Sequence, residues 1–395
     1  MTSSHDQGTF HPHTPLYNVS TAYQPADSAC TFRKVLDRLL FSRRSNVSLR
    51  SFPLLPPPTQ DRLDASLIEQ PIDLNDLAHS EVSAAEEKGK TVLYLAYGSN
   101  LCKETFRGKR GIKPLSQVNV MVPELRLTFD LPGIPYTEPC FANTALRDPT
   151  QHSTQSSEKN AGAVNGHIGK ADYHKDRWHK GLVGCVYEVT PSDYAHIIAT
   201  EGGGSSYKDI LVTCYPLHSS TVPDVPTTEP FKAHTLFAPA PNPSSSQCLV
   251  TSADRFHRPD PSYAQPSARY LKLLTDGARE LSLPSEYQAY LNQIRPYRIT
   301  STRQRVGQAL FAGIWLPFII LLFALQSSFQ GEKGRSPKWL TVLSGWLFAG
   351  MWRSYDGGFR KVFGDGERTE EQEGDGEVID GKDGRYVRSG WNGER

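Results

Sequence analysis

The stretch 306-VGQALFAGIWLPFIILLFALQ-326 runs for 21 residues without a charge. A helix of that length spans about 30 Å at ~1.5 Å per residue, the thickness of a bilayer's hydrocarbon core. It is apolar on every face, and it follows the part of the chain in which a domain has already closed. A buried core helix is the bland alternative, and a single membrane-spanning helix is the reading. Pro317 at its middle predicts a kink or a re-entrant shape. A second run, 339-WLTVLSGWLFAGMW-352, has 14 residues, too few for an easy crossing, and its tryptophans suit the headgroup layer. Arg295, Arg298, Arg303 and Arg305 precede the first run, and Lys333, Arg335 and Lys338 follow it. Four against three leaves the orientation open by charge alone.

Upstream the texture differs. Residues 1–90 are rich in Ser, Pro, His and Asp, with 53-PLLPPP-58 as punctuation, and read as disordered; the Gly- and Glu-rich tail 364–395 reads the same way. Strand-like runs occur at 91–96, 124–129, 140–146, 182–189, 208–217 and 231–238. Helical patterns occupy 190–201, with Thr190 as N-cap and Pro191 first in the helix, and 266–283. The polar segment 149–180 reads as a surface insertion. Many strands and few helices, without βαβ alternation, predict an α+β domain with a mixed or barrel-like sheet over 91–295.

A formal charge of +1 gives no electrostatic case for nucleic acid as a partner. The six cysteines are scattered, with no CxxC, so neither a zinc site nor a disulfide framework is indicated, and a reducing compartment fits. No metal and no cofactor are implied.

Two short stretches suggest chemistry. In 91-TVLYLAYGSNL-101 a strand ends in a turn where Gly98 permits φ > 0 and close approach of a ligand, and Ser99 and Asn100 offer polar side chains. In 201-EGGGSSY-207 Glu201 sits at the C-terminal end of the helical pattern at 190–201, where the helix dipole disfavours its charge by ~0.3–1 kcal/mol. A carboxyl group shifted towards neutrality suits general acid–base work. Each stretch alone also reads as an ordinary turn or linker.

Taken in order, "LYLAYGSNL", "GLVGCVYEVT", "IIATEGGGSSY" and "PSARYLKLLTDGARELSLPSEYQAYL" resemble the γ-glutamylcyclotransferase family. The resemblance covers roughly Thr91 to Leu291, with 149–180 inserted. It implies a mixed β-barrel with flanking helices whose cavity holds a γ-glutamyl group. The implied reaction is closure of that group to 5-oxoproline with release of an amine. By position, Glu201 matches the family's general acid–base. Tyr94, Leu95, Ala96, Tyr97, Gly98 and Ser99 match the substrate-lining strand and loop, and Tyr270 matches the tyrosine that reaches the same pocket. "EGGGSSY" carries more glycine than the plain pattern. "LPGIPYTEPCFANTAL" looks like the form of fungal relatives, some of which trim a glutathione adduct in the assembly of gliotoxin-type, sulfur-bridged diketopiperazine (epipolythiodioxopiperazine) toxins.

Three functions stay open at this point. One is release of 5-oxoproline from such an adduct. Another is the same reaction on γ-glutamyl amines or dipeptides. The third is a membrane-tethered binding protein that kept the fold without the activity. A catalytic domain facing the cytosol is expected, since glutathione-derived substrates are abundant there.

Overall fold

The computed structural model describes residues 52–72, 89–147, 177–200, 208–238, 258–260, 262–329 and 337–370, all within one compact unit, Ser45–Arg395. The strands are Val92–Ala96 (β1), Ser116–Val122 (β2), Leu125–Ile134 (β3), Glu138–Leu146 (β4), Leu182–Val189 (β5), Lys208–Pro216 (β6) and Phe231–Phe237 (β7). Five of them close a barrel in the order β1-β5-β2-β6-β7. β1 and β7 pair in parallel, and the other neighbours are antiparallel. β3 and β4 form a separate antiparallel hairpin. The expected α+β mixed barrel is therefore the fold.

β1 is buried along its whole length, which is why VLYLA is an unbroken apolar run and not an alternating one. Leu93, Leu95, Val183, Cys185 and Tyr187 are fully enclosed. β2 escapes a reading by hydrophobic pattern because SQVNVMV opens with two polar residues. Both are buried, and Ser116 donates to Glu188 Oε2 at 2.7 Å while Gln117 N–H donates to Pro56 O at 2.9 Å.

The helices are Gln60–Ser66 (α1), Pro191–Thr200 (α2), Ala268–Glu280 (α3), Ser285–Gln293 (α4), Thr302–Phe329 (α5) and Lys338–Ser354 (α6). α3 sits unusually close to the turn after β1. A Cβ built on Gly277 would lie 2.4 Å from the Leu101 carbonyl carbon and 2.5 Å from Cys102 N. Glu280 completes the seat by accepting from Lys103 N–H at 2.9 Å.

The structure corrects the reading of residues 1–90 for the part it describes. Phe52–Ile72 straps the barrel, chiefly through backbone groups and two charged side chains. Phe52 O and Pro53 O accept from Lys103 Nζ and Arg107 Nη1. Arg62 donates to Thr91 Oγ1 at 2.7 Å and pairs with Glu69 at 2.9 Å. Beneath the strap, buried Asp209 accepts from Tyr194 Oη at 2.5 Å, from Ile72 N–H at 2.7 Å and from His234 Nδ1 at 2.8 Å. His234 Nε2 lies 3.3 Å from Glu69 Oε2. Burial works to lower the His234 pKa, but the hydrogen bonds to Asp209 and Glu69 outweigh it and raise the value to about 9.

Two features of the C-terminal region position it against the barrel domain. α5 continues through Pro317 as one helix, and it is long and apolar enough to cross a membrane. After α5 the chain returns along α6. Trp315 Nε1 donates to Ser354 Oγ at 3.0 Å, and a Cβ on Gly307 would meet Phe363. Residues 364–370, expected to be disordered with the rest of 364–395, are instead enclosed. Asp365 Oδ1 accepts from Glu367 N–H, Arg368 N–H and Tyr355 Oη, and Gly366 O accepts from Tyr136 N–H at 2.8 Å. Arg258 locks this lobe: it grips Asp356 and Glu367 with two hydrogen bonds each, and its guanidinium lies 4.2 Å from the Trp352 ring centre. Trp352 and Met351, in the stretch expected at the interface, are wholly buried here.

The close seat of α3 makes Gly277→Val costly, because backbone cannot yield as a side-chain tip does. The expected loss is on the order of 3 kcal/mol or more in denaturant unfolding, and an unchanged midpoint would contradict the packing described.

The strap carries a pH signature. Because the folded-state pKa of His234 is raised from 6.5 to about 9, its contribution is complete below about pH 6.5 and lost as pH rises through 9. Unfolding measured across pH 6–10 should show wild type losing on the order of 3 kcal/mol more than His234→Gln over that window. Parallel pH profiles would show that the pairing contributes nothing.

Candidate active site

β1 runs out of the barrel at Ala96, and Tyr97–Gly98 carries the chain into a 3-10 turn, Ser99–Leu101. The turn closes on itself through Leu101 N–H to Gly98 O at 3.1 Å and Cys102 N–H to Ser99 O at 3.2 Å. Two further pieces converge on its tip. α3 brings Tyr270 in its first turn, where Ser267 caps the helix by accepting from Tyr270 N–H at 3.0 Å. β4 brings Ala142, whose N–H donates to Tyr270 Oη at 3.1 Å. β4 also fixes the helix start: Glu138 accepts from Ser267 Oγ at 2.8 Å and from Arg269 Nε at 2.7 Å. The Phe141 ring packs edge-on against Tyr270 at 5.0 Å.

Between these pieces lies a cavity of about 40 Å³, lined by Tyr94, Tyr97, Gly98, Ser99, Asn100, Ala142, Leu236 and Tyr270. That is room for roughly three waters. Its walls are held by polar ties of two tyrosine hydroxyls, one to backbone and one to a side chain. Tyr97 Oη donates to Leu236 O at 3.1 Å, and Asn100 Nδ2 donates to Tyr94 Oη at 2.8 Å. Tyr94 is fixed further by the rings of Phe106 and Tyr194, 6.1 and 5.9 Å away. Gly98 and Ser99 are partly open, whereas Tyr94, Tyr97 and Asn100 are buried.

The expected loop residues are brought together, with corrections. Gly98 has φ −106°, so a left-handed conformation is not its contribution. It faces Tyr270 and Ala142 at ordinary contact distance, since a Cβ there would stand 3.4 Å from Tyr270 Oη and 3.6 Å from Ala142 Cβ. Leu95 and Ala96 do not line the cavity. Their side chains are fully buried in the barrel, and Leu95 O accepts from Thr235 Oγ1 at 3.3 Å. Glu201 lies outside the described residues. The described part of α2 ends one residue earlier at Thr200, whose Oγ1 accepts from Arg110 Nη1 at 2.6 Å. Ala142 and Leu236 join the site unannounced by sequence. Ala142 contributes a backbone N–H, which leaves no trace in residue type. Asn100 stood in the quoted turn, but its tie to Tyr94 required the fold.

Comparison with known proteins bears on what this cavity serves. Residues 301–362 match the AclK C-terminal domain family. Over 290 residues the chain is 31% identical to the γ-glutamyl cyclotransferase aclK of Aspergillus oryzae, covering 71% of this chain and 92% of that protein. It is 30% identical over 286 residues to the γ-glutamyl cyclotransferase gliK of Aspergillus fumigatus, covering 72% and 92%. A solved γ-glutamyl cyclotransferase aligns at 18% identity and a TM-score of 0.33, covering 54% of this chain and 93% of that one, a likeness too slight to add weight to the sequence identities. On those identities, extended over nearly the full length of both relatives, the chain belongs to the γ-glutamyl cyclotransferase family.

Proposed function

We propose that the chain releases 5-oxoproline from a γ-glutamyl thiol peptide, a glutathione adduct of the kind trimmed in sulfur-bridged toxin assembly. The convergence of the Gly98–Ser99 turn with the Tyr270 hydroxyl on one cavity carries the reading. A cavity of about 40 Å³ takes the α-carboxylate and α-amino end of the glutamyl group, not the whole of it. The exposed backbone at Gly98 and Ser99 suits the carboxylate. Tyr270 accepts from Ala142 N–H, which sets its hydroxyl at the cavity wall facing Gly98.

The chemistry then needs one proton carrier. The α-amino group is an ammonium at neutral pH, and Glu201 as a carboxylate removes its proton. The freed nitrogen attacks the γ-carbonyl carbon, the new C–N bond closes the five-membered ring, and the old C–N bond to the departing amine breaks. Glu201 returns the proton to that amine. The nucleophile belongs to the substrate, so proximity supplies much of the acceleration. Cys102, Cys185 and Cys214 are buried free thiols, which supports a reducing, cytosolic side for the barrel.

Glu201→Gln keeps the shape and removes the proton acceptor. It should fold as wild type and lose roughly 10²–10⁴-fold in turnover, followed as 5-oxoproline release from a panel of glutathione adducts, γ-glutamyl dipeptides and γ-glutamyl amines. Turnover within a few-fold of wild type would remove Glu201 from the mechanism. A wild-type chain inactive on the whole panel, yet able to bind it, would make this a binding protein.

Gly98→Ala meets only ordinary contacts and should bind substrate nearly as wild type does. Gly98→Val places two methyl groups against Tyr270 and Ala142 and should weaken binding by about tenfold or more, ~1.4 kcal/mol. Equal affinity for the two variants would show the loop to be a turn without a ligand.

A further inference from the structure

The α5–α6 pair has no part in the chemistry above and leaves much apolar surface uncovered. Val306, Leu310, Ile314, Phe318 and Leu321 are each about half exposed, and their spacing of three and four residues sets them in one row along α5. On α6, Trp339, Val342, Leu343 and Trp346 are exposed as well. Large apolar side chains left this far open, in a row along one helix, mark an interaction surface.

The charge around the pair is one-sided. From Arg295 to Phe363 there are ten Lys and Arg residues against two acidic ones, Glu332 and Asp356, in a chain whose overall formal charge is +1. Asp356 is already engaged by Arg258 at 2.6 Å. Arg298, Arg305, Arg353 and Lys361 are exposed. An apolar face bordered by excess positive charge matches an anionic lipid surface.

We propose that this pair lies in the plane of one anionic leaflet and anchors the barrel without crossing the bilayer. Three observations favour that arrangement over a span. The chain leaves the lobe at Arg303 and returns to it at Val362, where Arg303 Nη2 donates to Lys361 O at 2.8 Å, so both ends share one side. The apolar stretch of α6, Trp339–Trp352, measures about 21 Å, short of the ~30 Å core, and its last two residues are buried against the lobe. The exposed row on α5 begins at Val306, beside the lobe. A hairpin plunging end-on would leave Val306 and Leu310 in water, whereas one lying flat covers the whole row. The near-even basic residues at the two ends of α5 then have a reason, since both ends meet the same headgroup layer.

The full chain would be mixed with sealed vesicles of phosphatidylcholine, with or without phosphatidylserine, and floated on a density gradient. It should float with the anionic vesicles, weakly with the neutral ones, and detach in high salt. A Phe318→Glu, Leu321→Glu double variant changes exposed positions only. It should keep the wild-type unfolding curve while losing about tenfold or more in vesicle binding. A protease site inserted after Gly334 and another at the C-terminus should both be cut from outside on bound vesicles. Protection of the Gly334 site would mean that the pair crosses, and undiminished binding by the double variant would mean that the face is not the anchor. Full chain remaining lipid-free as a dimer that the double variant dissociates would assign the face to a second copy instead. Each of these results would overturn the proposal.

Discussion

One hydrogen bond joins the two elements that close over the β1 turn at the candidate site: Ala142 N–H to the Tyr270 hydroxyl, 3.1 Å. It ties the β3–β4 hairpin, which is not part of the barrel, to the first turn of α3, and both close over the turn that ends β1. The bond is buried, so losing the hydroxyl would leave an amide unpaired away from water, a larger cost than the bond's own net worth. Its geometry depends in turn on the glycine contact between α3 and Leu101–Cys102 and on the Glu138 ties to Ser267 and Arg269. The cavity is a consequence of these contacts, since no one element encloses it.

The same hairpin extends to the C-terminal lobe. Its bend carries Tyr136, which is fully buried against Phe311 and Tyr355 and donates from its N–H to Gly366 O and from its hydroxyl to Gly364 O. Within β4, Glu138 and Ala142 then reach α3. The apolar helix pair and the site are therefore held by one hairpin, through its bend and through β4. In the lobe, Arg258 faces two carboxylates and an indole while almost wholly buried. Such a cluster is costly to desolvate and holds only because each guanidinium edge meets an acceptor.

Legibility in the sequence followed locality. The strand ending in Tyr-Gly-Ser-Asn, the capped helix bearing Tyr270 and the uncharged run from Val306 are set by neighbouring residues, so pattern and capping chemistry revealed them. The strap Phe52–Ile72 was hidden because it binds through carbonyls and through Arg62 and Glu69, whose partners are far along the chain. β2 was hidden by Ser116 and Gln117, polar residues that find acceptors only once Glu188 and Pro56 arrive.

By itself the sequence determined that the chain would build a strand-rich α+β domain, that a small polar turn would cap a buried strand, and that an apolar segment would need covering. Those follow from short-range periodicity and from the exclusion of apolar side chains from water, which any segment carries with it. Only the tertiary structure decided that Gly98 sits at negative φ facing Tyr270 and Ala142, that Leu95 and Ala96 belong to the core, that Ala142 supplies an amide to Tyr270, and that α5 is answered by a returning α6. Each of these depends on groups brought together from distant parts of the chain, and a backbone amide or a few ångströms of clearance has no residue code of its own.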